Sequence, residues 1–494
     1  MRKCQQRGHF SLHSVDHETK RLRVMKFGGS SVGDASCIRR VVEIVERNLS
    51  ESDIVVVVSA MSGVTNRLIE AAARSEAGDV ESAASIFDEL YTQHLAAADS
   101  LLGSPLERSR IHQQMRDVLQ VGKRLCEKSN VAGAVTPEAR DVLASLGERL
   151  MAPLLAAALI DRGVASEAVE ATEVVVTDSC HGAADPQMHP TRERCEQRIR
   201  PLLRRHIVPV VTGFIGATPE GTVTTLGRGG SDYSATILGA ALDADEVIIW
   251  TDVDGLLTAD PRIVSAARTI PEISYREAAD LAYFGAKVLH PKTLRAVMQH
   301  NVPVWVRNTF APDGQGTKII PRETAIVEGV MALSVMSEAT LITIELGITG
   351  GPNVVGRALA ALTAARSDVL LSSQTSSENN LWFIVPSALA HRAMEVVRRE
   401  FTADATLEER EGISQEPNVA IITLVGGNIA SISGVTQRAL DALRGVNVPA
   451  KAAVHTSSGY NISFILQKKD MKAALTTLHD EFQLGQAGIR NMMA

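Results

Sequence analysis

Along the first part of the chain, apolar residues fall into short continuous runs separated by longer amphipathic stretches. Arg23–Phe27, Ile54–Val58, His206–Thr212, Glu246–Trp250 and Val302–Arg307 each read as a strand. A strand that is apolar at nearly every position is buried on both faces, as in a parallel sheet. Between the runs, the spacing of Ile38, Val41, Val42 and Val45 predicts a helix after Gly33. Residues 67–130 read as mostly helical. Thr136-Pro137-Glu138 opens a further helix with proline at its first position, leading into Gly147-Glu148-Arg149 and the apolar stretch Leu150–Leu159. The segment 164–176 predicts a strand, Gly221–Thr225 a short hairpin strand and Ser274–Ala282 a helix. This alternation predicts one α/β domain over residues 23–320, with a mainly parallel central sheet between helices.

The tail repeats itself. Thr375-Ser376-Ser377 recurs as Thr456-Ser457-Ser458, an offset of 81 residues, and the same offset relates Arg357 to Arg438, Phe383 to Phe464 and Phe401 to Phe482. Each copy reads strand, helix, strand, strand, helix, which suits two ferredoxin-like βαββαβ modules at 335–405 and 415–490. Such a pair can hold a small ligand in its loops or serve only in oligomerisation.

Composition narrows the class. Hydrophobic residues make up 45% and aromatics 4%, so the core is mainly aliphatic. A net charge of −7, from 50 basic and 57 acidic residues, points to no nucleic-acid or membrane surface, so anions must be bound by local sites. No uninterrupted apolar run is long enough to span a bilayer. The five cysteines (Cys4, Cys37, Cys126, Cys180 and Cys195) have no metal-ligand spacing and read as reduced cytoplasmic thiols, with no metal site expected. Residues 1–22 form a polar extension containing His9, His13 and His17, without the apolar core of a signal peptide.

Candidate chemistry gathers at strand ends. Lys26 closes one strand ahead of Gly28-Gly29-Ser30-Ser31-Val32-Gly33, a glycine turn before a helix, which predicts a phosphate nest. The glycine spacing fits neither a Walker loop nor a dinucleotide fingerprint. Gly227-Arg228-Gly229-Gly230-Ser231-Asp232 is a second such turn, with Ser231 or Asp232 expected to cap the helix through Ile237, Leu238 and Ala241. The strand Glu246–Trp250 then runs into Thr251-Asp252-Val253-Asp254-Gly255, at the sheet edge where α/β proteins bind ligands. Taken singly, Lys26 reads equally as a solvated strand-end lysine, and Glu148 as a surface acid.

Together, Lys26–Val32, Leu226–Asp232, Trp250–Val253, Asp260-Pro261-Arg262 and Phe284–Pro291 resemble aspartate kinase, and the duplicated tail resembles the paired ACT regulatory domains of that family. The resemblance covers nearly everything beyond residue 22. After the second module, nothing resembling a fused homoserine dehydrogenase is expected. The resemblance implies transfer of the ATP γ-phosphoryl group to the β-carboxylate of L-aspartate with Mg²⁺, the first step of lysine, threonine and methionine biosynthesis. It implies catalytic roles for Lys26 and Asp232. Aspartate would be held by Thr65, Glu148, Arg228, Gly229, Gly230 and Ser231. The nucleotide would be held by Lys26, Gly28, Gly29, Thr251, Asp252, Leu257, Arg262, Lys287 and Val288. Two positions depart from the family pattern: Ser30 stands where threonine is usual, and Leu257 where many relatives carry a tyrosine against the nucleotide.

The resemblance also implies a homodimer or dimer of dimers formed through the ACT modules, and feedback by an end-product amino acid at Gln374. The run Ser373-Gln374-Thr375-Ser376-Ser377-Glu378 favours threonine over lysine, because Glu378 is its single acid. Two alternatives remain at this point: a kinase of the same superfamily acting on glutamate, acetylglutamate, carbamate or UMP, and a catalytically silent amino-acid sensor.

Overall fold

The computed structural model describes residues 20–286, 288–321, 329–345, 354–375, 380–402, 412–456 and 459–486. Its first part is an eight-stranded sheet. The strands are β1 (Arg21–Phe27), β2 (Ser52–Val58), β3 (Ser166–Val169), β4 (Val208–Thr212), β7 (Glu246–Thr251), β8 (Glu272–Ser274), β9 (Val304–Asn308) and β10 (Thr317–Ile320). Their spatial order is β3-β4-β2-β1-β7-β9-β10-β8, and β5 (Ile215–Ala217) with β6 (Val223–Thr225) makes a separate hairpin. The six strands from β3 to β9 are parallel; β10 runs antiparallel to β9, with β8 parallel to it.

The continuous apolar runs divide by alternate residues. Met25, Phe27, Ile54, Val56 and Val58 point into one core. That core is completed by α1 (Ala35–Asn48), α2 (Val64–Glu76), α3 (Val80–Leu101), α4 (Pro105–Ala132) and α5 (Pro137–Asp161). Val24, Val55 and Val57 point into the opposite core, against α6 (Met188–Arg198), α7 (Arg200–Arg204), α8 (Gly230–Ala241), α9 (Tyr275–Tyr283) and α10 (Pro291–Met298). A period-2 strand covered on both faces is therefore apolar throughout. The sequence reading did not register that α5 is long and apolar enough to reach across a bilayer; 83% of its apolar window is instead buried inside the protein.

The tail forms a single six-stranded antiparallel sheet. Its strands are β11 (Gly329–Glu345), β12 (Leu371–Thr375), β13 (Asn380–Pro386), β14 (Ile413–Gly427), β15 (Ala452–His455) and β16 (Asn461–Gln467), in the order β12-β13-β11-β14-β16-β15. The helices α11 (Val354–Ala364), α12 (Ala390–Thr402), α13 (Val435–Gly445) and α14 (Met471–Glu481) cover it. The 81-residue offset holds for helices and clasps alike: Arg357 forks onto Glu400 at 2.8 Å and stacks over Phe401, and Arg438 forks onto Glu481 at 2.9 Å and stacks over Phe482.

The boundaries 335–405 and 415–490, however, cut through shared strands. The second half of β11 pairs with β13 and with the first half of β14, completing the first module. The first half of β11 pairs with the second half of β14, which also carries β16, so the fourth strand of the second module comes from residues ahead of the first. The first module is inserted within the second. Sequence pattern showed only the half of β11 near 340–345, because Ser337-Glu338 interrupts the apolar alternation where the strand's register shifts.

Candidate functional site

At the C-terminal edge of the parallel sheet a cleft of about 350 Å³ opens between β1, the turn after β2, α5 and the start of α8. Nine of the predicted residues line it: Lys26, Gly29, Thr65, Glu148, Arg228, Gly229, Gly230, Ser231 and Asp232. Gly28 lies just behind, with its N–H donated to the Trp250 carbonyl at 3.2 Å.

Lys26 stands near the end of β1 and is almost wholly buried; its Nζ lies 2.5 Å from Asp232 Oδ1 in the first turn of α8. Glu148 is 3% exposed on α5, and burial pushes its carboxyl up to about 8 against the smaller opposing effects of a hydrogen bond from the Ala60 N–H and the nearby Lys26 charge. Its Oε2 has no hydrogen-bond partner among the described residues. Gly147 makes this placement possible: a Cβ there would lie 2.4 Å from that of Ala60, so only glycine lets α5 come so close to the turn. Arg228 is exposed at the mouth, with no hydrogen bond or ion pair to the other described residues.

Helix starts decide where an anion can sit. α2 begins after Gly63 (φ 82°) and α8 after Gly229 (φ 70°), and neither has a side-chain cap. Unbonded N–H groups at a helix start attract negative charge. Two such starts open into this one cleft.

Two expectations are corrected here. Ser231 and Asp232 do not cap α8; they lie inside its first turn, because the turn closes through Gly229 in the left-handed region, and both side chains are left to face the cleft. The helix after Gly33 is also no anion site. Asp34 caps α1, accepting the N–H groups of Ser36 at 2.7 Å and Cys37 at 2.9 Å, and the Ser36 hydroxyl bond, followed by these N–H bonds, holds its carboxyl below the usual range. The cap closes the helix start itself, while the turn before it keeps its backbone close at Gly29, where a Cβ would lie 3.0 Å from the Ala60 carbonyl.

Among the described nucleotide-side residues, Lys26 and Gly29 line the main cleft and the others do not. Thr251 and Asp252 leave the end of β7, directly beside Gly28, with the Thr251 hydroxyl donating to Asp252 at 3.2 Å. Leu257 is half-buried and bridges to Thr269. Arg262 is exposed and turned onto Asp260 at 2.6 Å. Val288 packs against the second core, and Lys287 lies outside the described residues. A neighbouring cleft of about 320 Å³ is lined by Asp254, Thr269, Asn308 and Gly314–Gly316, and by none of the predicted nucleotide residues.

Sequence reasoning left unassigned the stretch Ser59–Gly63, together with Asn66, Phe214 and Gly227, all of which line the main cleft. The signal for Ser59–Gly63 was its place as a polar turn at a strand's C-terminal end. His290 was also left unassigned; it packs against Gly229, and burial, with Lys292 and Arg228 nearby, pushes its imidazole below the usual value. Gln374 lies exposed on the edge strand β12, while Ser376, Ser377 and Glu378 lie outside the described residues.

Residues 21–308 match the amino acid kinase family, and residues 344–401 and 422–482 match the ACT domain. The lysine-sensitive aspartokinase 3 of Escherichia coli is 31% identical, over 92% of this chain and 98% of its own length. The bifunctional aspartokinase/homoserine dehydrogenase 1 of Zea mays is 35% identical over 94% of this chain, and the chain spans about half the length of such bifunctional relatives. Among solved structures, E. coli aspartokinase III in complex with aspartate and ADP (R-state) superposes with a TM-score of 0.75 at 27% identity, covering 94% of this chain and 100% of that one. Its complex with lysine and aspartate (T-state) gives 0.74. The chain therefore belongs to the amino acid kinase family and, within it, to the aspartokinases, with a kinase domain followed by paired ACT modules.

Proposed function

We propose that this chain transfers the γ-phosphoryl group of ATP to the β-carboxylate of L-aspartate, giving ADP and 4-phospho-L-aspartate. One observation carries the reading: a single cleft joins two uncapped helix starts to the Lys26–Asp232 pair and to the unpartnered oxygen of Glu148. A zwitterion with two carboxylates beside a polyphosphate needs that combination of positive ends and one acid. The substrate carboxylate oxygen attacks the γ-phosphorus and the bond to the bridging β,γ-oxygen breaks. The nucleophile is already ionised, so no strong general base is required.

In this reading Lys26 offsets the charge that develops on the transferring group, and Asp232 holds the lysine in place. Arg228 takes the α-carboxylate as a planar fork, and Glu148 takes the α-ammonium. Thr65 and the Gly229-Gly230-Ser231 turn close the acceptor site. Gly28 and Gly29 keep the backbone close, and Thr251, Asp252, Leu257, Arg262, Lys287 and Val288 flank the nucleotide. A Mg²⁺ arriving on the phosphates would neutralise part of their charge.

Feedback is assigned to an amino acid bound near Gln374. Within the described part of β12, Ser372, Ser373 and Gln374 offer hydroxyl and amide groups and no acid, so threonine is the effector of this reading. The edges of the shared sheet, β12 and β15, are its proposed contacts for dimer formation. The four described cysteines are free thiols, in keeping with work in the cytoplasm.

The test measures ADP release with aspartate, glutamate, acetylglutamate, carbamate and UMP in turn, and trapping of the aspartyl product as its hydroxamate. Release with another acceptor but not with aspartate overturns the substrate. No release with any acceptor leaves a sensor. Lysine inhibiting the wild type while threonine does not overturns the effector assignment.

A further inference from the structure

One buried acid near the cleft has no part in this mechanism. Asp141 lies on α5, two helical turns before Glu148, and is 3% exposed. Its Oδ1 accepts the Thr225 hydroxyl at 2.6 Å and the Gly182 N–H at 3.1 Å, and its Oδ2 faces the His181 Nδ1 at 2.7 Å. Glu138 lies on the far side of that ring, 3.6 Å from its Nε2. Burying a carboxylate is costly unless its oxygens are well satisfied, and a fully engaged one fixes its donors in place.

The donors share a purpose. Thr225 ends β6, and its carbonyl accepts the Ala184 N–H at 2.9 Å. Two residues on, Gly227 turns at φ 80° with its α-carbon so close to the other segment that a Cβ would lie 3.0 Å from the Gly182 carbonyl. Asp141 thus grips both segments that meet at Gly227, and Arg228 is the next residue. The same helix that carries Glu148 into the cleft therefore also anchors the turn that carries Arg228.

The geometry points to Asp141 as a positioning residue that fixes Arg228 relative to Glu148, and with them the distance from the α-carbon end of the acceptor to Lys26, which sets the acceptor length the site takes. It touches no substrate. The inference rests on the proposal that these two charges hold the α-carboxylate and α-ammonium of aspartate. A four-carbon diacid amino acid fits one distance between that anchor and Lys26; a loosened turn discriminates less against the next homologue, glutamate.

Steady-state kinetics on Thr225→Val, Asp141→Asn, Thr225→Ser and Arg228→Ala test it. Thr225→Val removes one donor and keeps the volume. It is expected to raise the KM for aspartate about tenfold, with kcat and the KM for ATP within about twofold, since a bond to a charged group is lost away from the reacting atoms. The preference for aspartate over glutamate falls with it. Asp141→Asn moves the same way, and Thr225→Ser, which keeps the hydroxyl, restores the wild-type KM. An unchanged aspartate KM in Thr225→Val overturns the inference, as does a parallel fall in kcat and in both affinities, which would mark general loosening. If Asp141→Asn does not fold, Thr225→Val still decides. Arg228→Ala separates the two layers: a raised aspartate KM there, with none in Thr225→Val, sinks this inference alone, whereas no change in Arg228→Ala sinks the underlying reading with it.

Discussion

The two sides of the proposed site are built on different foundations. The acceptor side, Lys26, Thr65, Glu148 and Arg228–Asp232, stands wholly on the kinase domain: β1, α2, α5 and α8. Part of the proposed nucleotide side, the loops around Arg262 and Phe284, is seated on the regulatory sheet. Ala259 and Val264, on either side of Arg262, lie in the second module's core with Ile422, Leu424 and Leu478. Thr258 is held from two directions, its carbonyl accepting the Leu333 N–H at 2.8 Å and its hydroxyl lying 3.0 Å from the buried His479 Nε2. Phe284 packs into the cluster on the sheet's other face, and Gly285, at φ 117°, passes so near Val335 that a Cβ would lie 2.3 Å from its carbonyl. A strain in the modules therefore meets the nucleotide loops before it meets the acceptor cleft. An effector can change affinity only where its favoured state differs in contacts, so nucleotide binding is the quantity expected to respond first.

The comparison breaks most visibly at Lys26, the one predicted group shared by both sides. Lys26→Ala should lower kcat on the order of 10²–10³-fold, the usual loss when a preorganised charge leaves a transferring group. ATP affinity, read by nucleotide titration, should change far less; near-normal turnover in the folded variant would remove the lysine from the chemistry. Next is Arg228→Ala, which should raise the aspartate KM on the order of 10–100-fold with ATP binding intact, and Arg228→Lys should do nearly as badly because a point charge cannot reproduce the fork.

A pH series sharpens the acceptor side. Glu148 is pushed up to about 8 in the empty site, so near neutrality it must lose a proton to pair with an ammonium. Aspartate binding then releases that proton, and affinity should strengthen by up to about tenfold per pH unit as pH rises from 6 toward 8. Calorimetry in buffers of different ionisation enthalpy reads the released proton directly, and Glu148→Gln should abolish both the release and the slope. For stability the sign is opposite. The folded state holds a proton that the unfolded chain loses near 4.5, so this group's contribution falls as pH rises from about 4.5 to 8. Chemical denaturation of wild type against Glu148→Gln at both ends of that window checks it.

The smallest expected effect tests the nucleotide side by itself. Thr258→Val removes the hydroxyl that meets His479 and accepts the Arg268 N–H at 3.0 Å, and should raise the KM for ATP by roughly threefold to tenfold, the scale of one or two neutral buried hydrogen bonds, while the aspartate KM stays within about twofold. If the aspartate KM moves instead, the division between the two sides is wrong.

Much of this was legible in the sequence because it is local. Ile54–Val58 reads as a doubly buried strand from its own composition, and the glycine turn at 227–230 carries its requirement for positive φ in its residue types. The 81-residue offset exposed both modules. What escaped depends on partners far away in sequence. Nothing around Thr258 announces His479, and nothing around Thr225 announces Asp141. The shared strands escaped too, because pairing Ala332 with Val425 leaves no mark on either segment's periodicity. Asp34 is a different failure: it was readable as a helix cap by the same rule applied to Ser231, and was passed over in favour of the glycines before it.

The nesting of one module inside the other also has a consequence for how the chain is made. A ribosome releases the strand that begins at Gly329 before any of its own module exists, and its partner on β14 arrives only after the whole inserted module has been synthesised. With roughly 90 residues intervening, elongation at about 5–20 residues per second leaves that strand waiting for roughly 5–20 s. It does not wait unprotected: Met331 and Ala332 bury in the kinase domain's second core, beside Ile273 and Leu281. The finished kinase domain is thus placed to serve as the jig on which the late-arriving strand finds its register, and the order of translation becomes part of the assembly plan.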